Sequence, residues 1–109
     1  MPNSSKRKGD VWERECAAWA RRNGYPEVER MRAGWAEDRG DLDGFVGLVV
    51  ECKAVKQPLW GAWLSSLDWK MGNAGCRDGV LWVKRQGIAD PGEGLIVQRA
   101  RNYFVDPDF

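Results

Sequence analysis

An α/β sandwich built around a mixed sheet is the fold this sequence predicts, and three observations predict it. LVVECKA (48–54) is an apolar, β-branched run of strand length. Trp60, Trp63, Leu64, Leu67 and Met71 recur at i, i+3, i+4, i+7 and i+11, the stripe of an amphipathic helix. A second apolar run, GVLWVK (79–84), follows that helix as a further strand. The 109 residues make one domain with no room for a second core.

The elements follow in order. Residues 1–9 carry Pro, two Ser and the cations Lys6, Arg7 and Lys8, and are expected to be a disordered basic tail, with one domain over 10–109. Asp10 suits an N-cap, with Glu13 at the capping-box position three residues on. Trp12, Cys16, Trp19 and Ala20 give the first helix one apolar face, and Asn23-Gly24 ends it. Residues 28–32 read as a short strand with Arg30 and Arg32 on one side. Leu42–Phe45 and 48–54 read as the next two strands. A helix over 60–73, strands at 79–84 and 95–98, and a terminal NYFV expected to pack back on the core complete the order α-β-β-β-α-β-β.

Composition excludes several chemistries. There is no histidine, so histidine general-base catalysis, histidine-activated nucleophiles and histidine-ligated zinc are out. Cys16, Cys52 and Cys76 form no CxxC pair, which argues against a disulfide framework or a thiolate metal site. Catalysis must then rest on carboxylates and lysines, with an oxygen-preferring cation such as Mg²⁺ as the natural cofactor. No run approaches the ~20 apolar residues of a membrane span, and the start has no apolar signal region. A cytoplasmic protein is therefore expected. Net charge is only +1, from 17 basic and 16 acidic residues, but Lys6, Arg7 and Lys8 precede the first acid. Such a basic start suits nucleic-acid contact.

The informative stretch is RGDLDGFVGLVVECKA, residues 39–54. Charges interrupt an apolar strand at i and i+2, which places Glu51 and Lys53 on one face about 6–7 Å apart. A tight antiparallel connection brings Asp41 beside Glu51. Asp43 competes with Asp41, although its place before Gly44 suits a turn. Two carboxylates on adjacent strands can hold Mg²⁺ through oxygens at ~2.0–2.1 Å. The backbone carbonyl of Cys52 is a further ligand candidate, and Lys53 can orient water or neutralise a pentavalent transition state. Lys84 and Arg85, at a strand end, can contact phosphate or simply cap the sheet. Arg14 lies on a solvated helix face across which DNA can run.

The sequence resembles the PD-(D/E)xK nuclease superfamily, and within it the Holliday-junction resolvases of archaeal type and their phage-encoded relatives. KGDVWERE (8–15), RMRAG (30–34), RGDLDG (39–44) and VVECKA (49–54) carry the resemblance, with KRQG (84–87) a weaker match. D…ExK alone is a common pattern; joined to KGxxxERE at this distance it is more specific. The resemblance implies a restriction-endonuclease-like core and makes Glu13, Asp41, Glu51 and Lys53 the catalytic set, with Glu13 joining Asp41 and Glu51 as a metal ligand. On a helical wheel Glu13 falls between Ala17 and Ala20, at the edge of the apolar face. An arginine before the AG element is functional in the family; spacing here is off by one, so either Arg30 or Arg32 fills that role. Trp35 stands where the family often has serine.

The implied activity is Mg²⁺-dependent (Mn²⁺ substituting) endonucleolytic resolution of four-way DNA junctions. The implied partners are branched DNA and a second copy of the chain, with no membrane and no small-molecule cofactor. If phage-encoded, the protein works in the host cytoplasm. A restriction- or repair-type nuclease of the same fold, and a non-catalytic DNA-binding module, are the alternatives. The Trp-rich helix at 60–73, through Trp69, or the end at Tyr103-Phe104 offers a dimer surface.

Overall fold

The computed structural model describes residues 4–31 and 37–105. Its elements are α1 (Ser4–Arg22), β1 (Glu29–Arg30), β2 (Leu42–Asp43), β3 (Leu48–Lys53), α2 (Trp60–Ala74), β4 (Asp78–Val83), β5 (Leu95–Val97) and a short α3 (Ala100–Tyr103). A 3-10 turn at Pro91–Glu93 precedes β5. The five strands form one mixed sheet in the order β1-β2-β3-β4-β5. β3 and β4 run parallel, with Glu51 beside Leu81 and Lys53 beside Val83; the other neighbours are antiparallel. Helix α2 is the crossover that a parallel pair requires.

Strand alternation splits the core into two layers. Val50, Cys52, Val80 and Trp82 face α1, where they meet Trp12, Cys16, Ala17 and Ala20. Val49, Leu81 and Val83 face α2, where they meet Trp63 and Leu67. The indole N–H of Trp12 donates to the carbonyl of Trp82 at 3.0 Å, and the indole of Trp82 donates to Pro91 at 3.1 Å. These two buried tryptophans thus keep their one donor satisfied. Gly79 permits the close approach of α2 to β4: a Cβ there would come within 2.7 Å of the Met71 sulfur and 2.9 Å of Leu67 Cδ1.

The mixed sheet between helices agrees with the sequence-based expectation, and two elements differ from it. Helix α1 begins at Ser4, so residues 4–9 are helical rather than a disordered tail; residues 1–3 lie outside the described residues. Asp10 is consequently no N-cap. Its carboxylate accepts a hydrogen bond from Arg30 at 3.1 Å instead. The terminal segment does not return to the core: Tyr103, Phe104 and Val105 are exposed. Asn102 ties that segment down by donating to the Arg77 carbonyl. Trp69 on α2 is exposed, as expected of a residue off the apolar stripe. Among the described residues no helix is long and apolar enough to cross a membrane.

Candidate active site

Glu51 is the one buried charged side chain among the described residues, 2% exposed in the middle of β3. Period-two geometry puts it on the α2 side with Val49 and Lys53. Its Oε2 meets the Lys70 ammonium at 2.8 Å and the Lys53 ammonium at 3.7 Å. Its Oε1 is buried with no hydrogen-bond partner among the described residues. Lys53 lies over the Trp63 ring, 5.5 Å from the centroid, a cation–π contact that orients its stem.

Asp41 lies at the start of β2, beside Glu51 across the antiparallel pair, as the tight connection predicts. Its N–H donates to Val50 at 2.9 Å and its Oδ2 accepts from the Cys52 N–H at 2.7 Å. N–H and C=O of one strand residue point to the same neighbour. The Cys52 carbonyl therefore faces the Asp41 edge as well. Asp43 is exposed and pairs with Glu29, away from this cluster. Gly40 carries the chain over the site with φ +105°, where a Cβ would come within 2.9 Å of Val49 and 3.6 Å of Glu51 Oε1. Glycine leaves that space open and tolerates that backbone.

Glu13 approaches Asp41 from the α1 side, where Arg30 contacts it at 3.4 Å while also holding Asp10. Arg30 is thus placed at the cluster; Arg32 and Trp35 lie outside the described residues. The residue that sequence reasoning missed is Lys70. It reads as a polar flank of an amphipathic helix, yet α2 packs so that its ammonium bridges Glu51 and, at 3.3 Å, Asp38.

Burial and the neighbouring charge of Asp41 push the Glu51 carboxyl up from 4.5 to about 7, against the pull of Lys70 and Lys53. Burial raises Asp41 too, although the Cys52 N–H and the lysines oppose it. Burial and Asp41 raise Glu13 against Arg30. Burial alone would lower Lys70, but its bond to Glu51 outweighs that and holds it protonated. The Cys52 thiol is pushed far up by hydrogen bonding with Cys16 and by burial, so it is no nucleophile. Between about pH 4.5 and about 7 the folded chain keeps a proton on Glu51 that the unfolded chain has released. Stability in EDTA should therefore fall as pH rises through that window. Thermal melts across it should show the fall in the wild type and a flatter profile in Glu51→Gln; identical profiles would refute the assignment.

Among the described residues no three acid or cysteine side chains are gathered into a ready-made metal cluster. Two adjacent carboxylates and an unpartnered buried oxygen do fit Mg²⁺, which keeps several waters and takes few protein ligands. Further along the sheet the basic residues converge. Lys8, Lys56, Lys84 and Arg85 line a cavity of about 160 Å³ at the ends of β3 and β4. The Lys84 N–H donates to the Lys53 carbonyl at 2.8 Å, joining that cavity to the carboxylate cluster. Arg7 adjoins it in a neighbouring cavity also lined by Lys8 and Lys84. Arg85 pairs with Glu93 at 3.7 Å, while Lys6 and Arg14 are exposed on α1. Compared with known proteins, the chain matches no family model, no curated protein and no solved structure.

Proposed function

We propose that this chain is a Mg²⁺-dependent, structure-selective endodeoxyribonuclease with a restriction-endonuclease-like core, acting on four-way DNA junctions. One observation carries the reading: Asp41 and Glu51 stand side by side on antiparallel strands, Glu51 Oε1 is buried without a partner among the described residues, and Lys53 shares that face. A buried carboxylate in this state is costly unless something completes it.

Asp41, Glu51 and the Cys52 carbonyl are the groups that would hold the cation. When bound, Mg²⁺ supplies Lewis-acid charge at the phosphoryl oxygen and lowers the pKa of a water. Lys53, steadied on Trp63, offers an ammonium to that water or to charge developing on the phosphate. Glu13 and Arg30 flank Asp41 from the other side of the sheet, Arg30 fixing the orientation of the Glu13 carboxylate. Lys8, Lys56, Lys84 and Arg85 supply the positive surface that a phosphodiester backbone needs. A four-way junction has approximate two-fold symmetry and needs two nicks, so two copies about a C₂ axis are the working unit. The exposed aromatics Trp69, Tyr103 and Phe104 are available for that contact.

A non-catalytic DNA-binding module is the second reading, favoured by Lys70, whose ammonium already neutralises Glu51. The test is incubation of a synthetic four-way junction and a matched linear duplex with Mg²⁺ and with EDTA. Symmetric nicks in the junction, dependent on Mg²⁺, are expected. Binding without cutting selects the second reading, and equal cutting of the linear duplex selects a repair- or restriction-type nuclease.

A further inference from the structure

We infer that Lys70 is a positioning residue, a built-in counter-cation that holds Glu51 while the site is empty of metal and yields it to the metal when one binds. The inference rests on the metal-dependent reading above.

Lys70 is 12% exposed in its side chain, whereas its helix neighbours Asp68 and Trp69 are open to solvent. It is turned into the fold, and it touches two acids of different kinds. Glu51 is buried, with its side chain 3% exposed. Asp38 is open, with its side chain 47% exposed. The Asp38 segment is pinned from both directions: the Gly40 N–H donates to Asp38 Oδ1 at 3.0 Å, and Asn73 donates to the Asp38 carbonyl at 2.8 Å. Lys70 and Asn73 lie three residues apart, on one face of α2. That face therefore clamps the loop leading into Asp41.

The bonding of Glu51 is asymmetric. Both ammonium groups lie on Oε2, and Oε1 has none. A cation arriving at Oε1 and Asp41 would meet Lys70 and Lys53 as like charges a few ångströms away, and like charges at such range repel strongly where water is scarce. Lys53 has the Trp63 ring to rest on, and Lys70 has Asp38. Lys70 can thus release Glu51 without losing its ion pair, by staying with the open acid. A purely structural pair would have no need of a second, solvent-facing partner.

Removing the ammonium should tighten metal binding. Mn²⁺ titration calorimetry on the full chain, free of DNA, should show Lys70→Met binding about ten- to a hundredfold tighter than wild type, the equivalent of one lost charge-assisted competitor. Glu51→Gln in the same background should erase the gain. Affinity equal to or weaker than wild type overturns the inference. Lys70→Met leaves a buried carboxylate without its cation, so a second measurement uses the wild type. With lysine side chains labelled with ¹⁵N, the Lys70 ammonium should lose its ion-paired signature as Mg²⁺ is added, at the concentration that saturates the site. A Lys70 signal unmoved by saturating Mg²⁺, or no saturable metal binding at all, overturns it. Junction cutting is scored separately. Cutting without these effects removes the role of Lys70 and leaves the nuclease reading intact; the effects without cutting do the reverse.

Discussion

Glu51→Gln should lower Mg²⁺-dependent cutting of a four-way junction by about a thousandfold or more, because it takes away one of the two adjacent carboxylates proposed to hold the cation. The amide keeps the size of the side chain, so packing against Val49 and Leu81 is retained. It also replaces a charge that burial and Asp41 disfavour, so the fold should survive the change. Junction affinity should change little, since the positive surface at Lys8, Lys56, Lys84 and Arg85 is separate from the carboxylates. Asp41→Asn should lose comparable activity and also weaken the bond that orders Cys52. Gel assays of binding and cutting on the same samples separate the two quantities. Cutting by Glu51→Gln near the wild-type rate would refute the site.

Leu81→Ala should destabilise the domain by about 2–5 kcal/mol, the range for truncating a leucine in a core that relaxes only partly. Leu81 is fully buried at the centre of β4, packed with Val49, Trp63 and Leu67 on the α2 side. Native domains hold only about 5–15 kcal/mol in all, so the loss is a large fraction. At roughly 4–8 °C per kcal/mol for a domain near this size, the melting temperature should fall by about 8–40 °C. Leu81 also neighbours Glu51 in register, so its loss loosens the wall that keeps the carboxylate dry. Val46→Ala, at a fully exposed site, is the control and should stay within about 0.5 kcal/mol of wild type. A melting temperature for Leu81→Ala within a few degrees of wild type would contradict the α2-side core described above.

Much of this arrangement was legible in the residues. The β3 run and the α2 stripe are strong periodic signals, and both elements lie within a residue or so of their expected bounds. Charges at Glu51 and Lys53 announce themselves because they interrupt an apolar strand, and Asp41 follows from the tight connection that pairs β2 with β3. Local signals misled at the two ends. Asp10 has the chemistry of an N-cap, but Arg30 takes its carboxylate from another element, and the helix runs back to Ser4. NYFV has the composition of a core segment, but it ends in a short exposed helix beyond the edge strand β5.

The sequence by itself determined the kinds of element, their order and the side of the strand on which Glu51 and Lys53 stand. Those properties follow from backbone periods within a single element, 3.6 residues for a helix and two for a strand. Only the tertiary structure decided which charges meet. Lys70 reaches Glu51 because α2 packs across β3 and turns that flank inward. Arg30 reaches Asp10 and Glu13 because β1 runs along the edge beside α1. Among the described residues Glu51 Oε1 is left without a partner because both lysines approach the other oxygen. Such pairings depend on the packing angle and register between elements far apart in the chain, and no period within one element encodes either.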